Sequence, residues 1–191
     1  MTEQDSSAAR RAMVLNQLRP QGVTNTAVLA AMGSVPREQY VPPALRASAY
    51  ADRSLLVDGG APMMPPAELG ILLNALDPRP GERALVVGAG GDYSAAVLAA
   101  LGLTVTRTAG DAPPGRDLHD VVLVEGAVEQ FPDWIAGQLA PGGRVGAALV
   151  EGGVARLSIG RASRGAIGFT TLADAQVPSH PGFALKPVFT F

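Results

Sequence analysis

Three observations predict an α/β fold. Apolar strands alternate with helical stretches, one buried strand runs straight into a glycine turn, and two hairpin-like segments follow toward the C-terminus. Together they give a doubly wound parallel sheet with an antiparallel C-terminal edge, preceded by an N-terminal helical segment. The 191 residues predict one domain. Its parts are a helical segment over 1–53, a loop and helix over 54–80, and the sheet core over 81–191.

In the helical segment, Ser6 or Ser7 is placed to cap a helix carrying Ala12, Met13, Leu15 and Leu18, ended by Pro20. Thr24 and Asn25 cap a second helix, with Val28, Leu29 and Met32 on one side and Gly33 as its stop. Pro42 and Pro43 open a short third helix over Ala44–Tyr50. Glycines and prolines make 54–67 an irregular loop. Glu68–Leu76 is a helix with Leu69, Leu72 and Leu73 inward.

In the core, Ala84–Gly88 is an apolar strand of the kind buried on both faces. The turn Gly88–Asp92, a helix over Tyr93–Leu101 and a strand over Leu103–Thr108 follow. Asp120–Glu125 is a further strand, Pro132–Leu139 a helix and Val145–Val150 another strand. Val154–Ile159 and Phe169–Leu172 make a hairpin around Ala162–Gly165, and Val188–Phe191 is strand-like.

Composition excludes several chemistries. A net charge of −2 gives no basic footprint for nucleic acid. With no cysteine there is no disulfide, thiolate nucleophile or Cys-ligated zinc. Two histidines, His119 and His180, exclude a multi-histidine metal site, and a Schiff base would rest on the single Lys186. No serine sits on a nucleophile elbow, so no catalytic residue and no metal ligand is nominated. The longest apolar runs, such as Ala95–Leu101, fall far short of the ~20 residues that span a bilayer. The first residues lack a basic start and an apolar stretch. A cytoplasmic protein with no membrane partner is expected.

Gly88-Ala89-Gly90, between a buried strand and a helix, admits a ligand close to the backbone. It serves equally as a plain tight turn, and Tyr93 stands where a third glycine would complete the dinucleotide pattern. Glu125 ends a strand at the carboxyl edge, where such folds bind ligands. It could accept from a ribose or an amine, cap the next helix, or pair with Arg144. Asp92 is placed to cap the helix after the turn, Met63 and Met64 to line a pocket or fill a gap. His119, between Asp117 and Asp120, reads as a solvated loop residue.

Met13-Val-Leu-Asn-Gln-Leu-Arg, Val28-Leu-Ala-Ala-Met, Val35-Pro-Arg, Tyr40-Val-Pro and Tyr50-Ala-Asp-Arg resemble the N-terminal half of the protein-L-isoaspartate O-methyltransferases. The stretch from Leu85 through the glycine turn to Ala99 resembles that family's first S-adenosylmethionine motif. Asp120–Glu125 and Gln138–Arg144 resemble its later strand and its Pro-Gly-Gly turn. The likeness spans 10–160 with one gap. It implies a Rossmann-like methyltransferase sheet, S-adenosylmethionine as cofactor, and methyl transfer to the carboxylate of damaged aspartyl residues. It also implies that Gly88, Ala89, Gly90 and Tyr93 line the methionine end of the cofactor, with Glu125 at the switch point and Met63 and Met64 in the substrate loop.

The sequence departs from that family at several points. The family carries Thr-Ile-Ser-Gln-Pro in the substrate loop, with hydroxyls serving the isoaspartyl carboxylate; here 62–66 read Pro-Met-Met-Pro-Pro. Val86 replaces an acidic residue and Asp92 a glycine, and the ribose-holding carboxylate falls at Ala109, with Asp111 two residues away. Only eleven residues, Ala109–His119, stand where the family has a helix, a strand and an adenine-contacting turn. Eleven extended residues reach about 36 Å, whereas a βαβ unit takes about 30 residues. The sheet is therefore expected to be truncated by one βα unit, with a helix-less crossover. Two consequences are expected. Methyl transfer is lost or retargeted without isoaspartate repair, the alternative being a non-catalytic interaction or regulatory module with a protein partner. The exposed strand Leu103–Thr108 joins two copies into a homodimer.

Overall fold

The computed structural model describes residues 3–110, 112–163 and 166–185. The chain starts as α1 (Glu3–Met13), which runs on into a π-helical turn over Val14–Leu18. Ser6 and Ser7 lie inside α1, so neither caps it. Met13 and Leu18 are fully buried, while Ala12 and Leu15 face solvent. A π turn bonds residues five apart and brings them to one face, which a 3.6-residue period does not do.

α2 (Thr26–Ser34) is capped as expected: Asn25 Oδ1 accepts from the Ala27 and Val28 N–H groups at 3.0 and 3.3 Å. It runs through Gly33 and stops at Val35. Two 3₁₀ turns follow, Arg37–Tyr40 and Pro43–Ser48. The segment expected to be irregular contains a small hairpin of β1 (Leu55–Leu56) and β2 (Pro62–Met63). α3 (Pro66–Leu76) buries Leu69, Leu72 and Leu73 completely.

The sheet core begins with β3 (Arg83–Val87), α4 (Asp92–Ala100) and β4 (Thr104–Thr108). β5 (His119–Val128), a short α5 (Asp133–Ala136) and the long β6 (Leu139–Glu151) follow. β7 (Val154–Ser163) and β8 (Ala166–Asp174) close it. The strand order is β4-β3-β5-β6-β7-β8. The first four strands are mutually parallel, and β7 and β8 are antiparallel additions. This is the predicted α/β sheet with its antiparallel C-terminal edge. β6 takes up the Pro-Gly-Gly residues and shortens the helix expected over Pro132–Leu139.

Alternation along the strands divides the core. Ala84, Val86, Val121 and Leu123 pack beneath α1 to α4. Leu85, Val87, Val122 and Val124 face the other way, toward Ile135 and Phe183. Between β4 and β5 the described residues contain no helix, so the crossover is the helix-less one expected and β4 is a sheet edge. Asp111, the tip of the β7–β8 hairpin, Lys186 and the strand-like Val188–Phe191 lie outside the described residues. Among those described, no helix is long and apolar enough to cross a membrane.

His119 is not a solvated loop residue: it is the first residue of β5 and is buried. Its backbone N–H donates to the Gln138 carbonyl, which fixes it beside the start of β6. Burial lowers its pKa below the ordinary value, Arg83 pushes the same way, and Asp117 and Asp120 oppose it. The folded ring therefore holds its proton less tightly than the unfolded one. Its contribution to stability is complete above the unfolded pKa of about 6.5 and is lost as pH falls below it. A His119→Phe variant should lose less melting temperature than the parent between pH 7.5 and 5, by thermal unfolding at several pH values. Equal losses would rule this out.

Candidate functional site

β3 delivers the chain to the carboxyl edge of the sheet, and the glycine turn begins there. Gly88 has φ +122°, a conformation that side chains avoid. Gly90 is required by proximity: a Cβ there would collide with the carbonyl oxygen of Pro62. The glycine turn and β2 are thus in direct backbone contact.

Glu125 comes to the same place by a bulge. β5 pairs with β3 only as far as Val124, and its register with β6 slips between Leu123 and Ala127. The strand does not end at Glu125, as expected, but continues to Val128. The Glu125 side chain lies under the glycine turn, beside Gly88 and Gly91, and is fully buried. One carboxylate oxygen accepts from the Ser94 hydroxyl, the other from the Met64 N–H at 3.0 Å. Glu125 therefore neither caps a following helix nor pairs with Arg144, which binds Glu82 at 2.8 Å.

Met64 is held from its other side as well. Its carbonyl accepts from Arg37 Nη2 at 2.6 Å, and Arg37 Nε donates to Ala49 O at 2.8 Å. The Arg37 guanidinium is fully buried, 4.8 Å above the Tyr93 ring. Burial lowers the pKa of Arg37 and raises that of Glu125, whereas Ser94, Met64 and Arg37 favour ionised Glu125. A buried carboxyl group and a buried guanidinium thus meet through one residue's backbone.

A cavity of about 200 Å³ opens over this edge, lined among others by Gly88, Ala89, Gly90, Glu125, Pro62 and His180. Tyr93, Met63 and Met64 are placed elsewhere. Tyr93 is the second residue of α4 and turns its ring inward, under Arg37 and edge-on to Tyr40. Burial raises its pKa to about 12. Met63 and Met64 send their side chains into the main core, so only the loop's backbone faces the glycine turn. Asp92 is not the cap, which is Gly91; it lies in the first turn of α4 and forms an ion pair with Arg107 of β4.

The residue reading did not nominate Arg37, Ser94 or His180 for this edge. Ser94 carried a usable signal, as a hydroxyl in the first turn after the glycines. A roomier groove beside α1 is lined by Arg10 and Glu38, which pair with each other at 3.6 Å, and it stands apart from the glycine turn.

An open α/β sheet with a glycine turn and a buried carboxylate at its switch point is a Rossmann-like arrangement, the fold class to which the class I methyltransferases belong. The likeness to solved structures agrees. A chain from Plasmodium falciparum described as a protein-L-isoaspartate O-methyltransferase, in complex with S-adenosyl-L-homocysteine, superimposes with a TM-score of 0.74. The match covers 91% of this chain and 98% of that one, at 17% identity. The sequence goes further. The family model for protein-L-isoaspartate(D-aspartate) O-methyltransferase matches residues 9–110. The protein-L-isoaspartate O-methyltransferase of Methylorubrum extorquens (strain PA1) is 38% identical over 168 residues, 74% of either chain. That of Pelotomaculum thermopropionicum is 30% identical over 171 residues, 75% of either chain. The chain belongs to the protein-L-isoaspartate O-methyltransferase family. This overturns the expectation that methyl transfer is lost or retargeted, together with its alternative of a non-catalytic module. Relatives aligned over most of the chain carry the name of the activity, and nothing in the likeness marks a loss.

Replacing Arg37 tests the clamp on Met64. Arg37→Gln leaves the Glu125 carboxylate without its counter-charge and should cost about 3–5 kcal/mol of stability. Arg37→Lys, which keeps the charge but not the fork, should cost less. Urea unfolding of the three proteins decides; a loss below about 1 kcal/mol in Arg37→Gln would show that the clamp adds little.

Proposed function

We propose that this chain is a cytoplasmic enzyme that transfers the methyl group of S-adenosylmethionine to the carboxylate of isoaspartyl residues in damaged proteins. The observation that carries this reading is the contact between the glycine turn and the Pro62–Met64 loop. Methyl transfer requires a cofactor turn and an acceptor loop to meet, and here they touch at Gly90 and Pro62. The family relatives named for this activity support it.

The residues of the turn fit the methionine half of the cofactor. Gly88 and Gly90 put no side chain into the cavity, and α4 points its positive end there. The N–H groups of Ala89 and Gly90 would hold the amino-acid carboxylate, since those of Gly88 and Gly91 already donate to the Thr108 and Gly88 carbonyls. The charge of Asp92 is taken up by Arg107, so it does not repel that carboxylate. When bound, the cofactor supplies an electrophilic methyl group on a sulfonium. The protein supplies position and dryness, and needs no acid–base pair for a carboxylate that is already a nucleophile. Glu125 acts at one remove, fixing Ser94 and Met64 and with them the distance between turn and loop. Ala61 and Pro62 wall the site with apolar surface that keeps water out. The cavity of about 200 Å³ is below the ~300 Å³ at which small-ligand pockets begin, so admission of the cofactor calls for an outward shift of Gly59–Pro62.

Incubation with radiolabelled S-adenosylmethionine and matched isoaspartyl and aspartyl peptides tests the reading. Base-labile label should appear in the isoaspartyl peptide alone, and its absence overturns the proposal. Gly90→Ala, which pushes Pro62 off the turn, should lower the rate about 100-fold while the fold is retained.

For assembly, we propose that two copies pair along β4 and the adjoining Leu103. β4 is a sheet edge with its outer backbone open to a second strand. Light scattering should give twice the chain mass of 19.5 kDa, and a monomer mass would discard the pairing.

A further inference from the structure

Past the bulge at Glu125, a second stretch of chain is laid along β5. Ala127 N–H donates to the Pro178 carbonyl and His180 N–H to the Ala127 carbonyl, at 2.8 and 2.7 Å. The N–H groups of Glu129 and Gln130 both donate to the Phe183 carbonyl, at 3.1 and 2.9 Å. The Glu129 carboxylate accepts from the Ser179 hydroxyl and the Leu185 N–H, at 2.9 and 2.8 Å. This strap crosses the carboxyl edge and seats His180 over the ends of three strands. The imidazole lies against Gly88 at the end of β3, Gly110 beyond β4 and Gly126 in β5. Atoms of the ring stand 2.8 and 3.0 Å from where a Gly110 Cβ would be, so the ring has this position only because those neighbours lack side chains.

The ring is held flat. It stacks on Phe183 with centroids 4.2 Å apart and an interplanar angle of 16°, and Phe183 belongs to the core beneath. Nδ1 accepts from the Gly182 N–H at 3.0 Å, which places the proton of the neutral ring on Nε2. His180, Pro181 and Ala109 line the cavity together with Pro62, which approaches His180 across Gly126 and leaves it only 4% exposed while the Pro62 loop is in place.

The reading under Proposed function, on which this inference rests, assigns the glycine turn to the methionine half of the cofactor. The other half is a nucleoside with a flat purine, for which the crossover between β4 and β5 offers no helix or strand among the described residues. Once the Pro62 loop moves outward, the planar, rigidly backed ring beside Ala109 is a surface on which a base stacks. We propose that the strap Ser179–Phe183 is the adenosine-binding wall of this protein, with His180 as its contact residue and Phe183 as its backing.

Calorimetric titration of the purified protein with S-adenosylhomocysteine, adenosine and methionine separates the two halves. His180→Ala should weaken S-adenosylhomocysteine and adenosine about ten-fold or more and leave methionine unchanged. His180→Phe keeps the flat face and should stay within about three-fold of the parent for all three. Unfolding temperature confirms that each variant is folded. If the parent binds S-adenosylhomocysteine and His180→Ala binds it equally well or more tightly, the wall is elsewhere and this inference fails alone. If the parent binds no S-adenosylhomocysteine, the methyltransferase reading fails first and takes the inference with it.

Discussion

The backbone of Met64, held between a buried carboxylate and a buried guanidinium, is the constraint on which the site depends. Burying Glu125 or Arg37 alone would be very costly, because each would forfeit its hydration with nothing in return. Here the N–H of Met64 donates to one and its carbonyl accepts from the other. Beside the Ser94 and Ala49 bonds, part of the cost of burying each group is offset while Met64 stays in place. Helical segment, Pro62–Met64 loop and sheet therefore cannot shift independently at this point. Ser94 extends the arrangement to α4, so the turn that precedes that helix is fixed as well.

Around this centre the two-faced core does the remaining work. Four helices cover one face of the sheet through Leu69, Leu72, Leu98 and their neighbours. Among the described residues, the other face has the single turn of α5 together with Phe183 and the aromatic residues near it. The shortened crossover explains the imbalance, because a full βα unit would have added a helix. The methionines follow the same logic. Met63 and Met64 are apolar residues of a loop at the carboxyl edge, and the main core takes them in. Their burial anchors the loop and leaves its backbone to face the glycine turn.

Much of the fold was legible in the sequence because it follows from local rules. The Asn25 cap, the apolar strand before the glycines, the leucines of α3 and the eleven-residue crossover each rest on contacts near in sequence or on simple reach. What was not legible rests on contacts that are far apart. The π turn hides in an ordinary-looking helical stretch and reverses the burial of Leu15 and Leu18. Tyr93 follows a ligand-type turn, yet its helical position aims it at Arg37, which is 56 residues earlier in the sequence. Glu125 was legible as a residue of the carboxyl edge, but the bulge that buries it depends on β6. His119 looked polar among aspartates, and only the pairing of β5 with β6 shows it to be interior.

The site is assembled from residues 37, 62–64, 88–94, 125 and 180, scattered along nearly the whole chain. Contacts this distant in sequence form slowly, since each closes a long loop before it brings any reward. During synthesis the helices and the parallel strands are available before the strap exists. A nascent chain can thus have a nearly complete sheet and still have an open, unfinished carboxyl edge. The cavity at that edge is walled only when the stretch around His180 docks on β5, so closing this part of the sheet and shaping the cavity are one event.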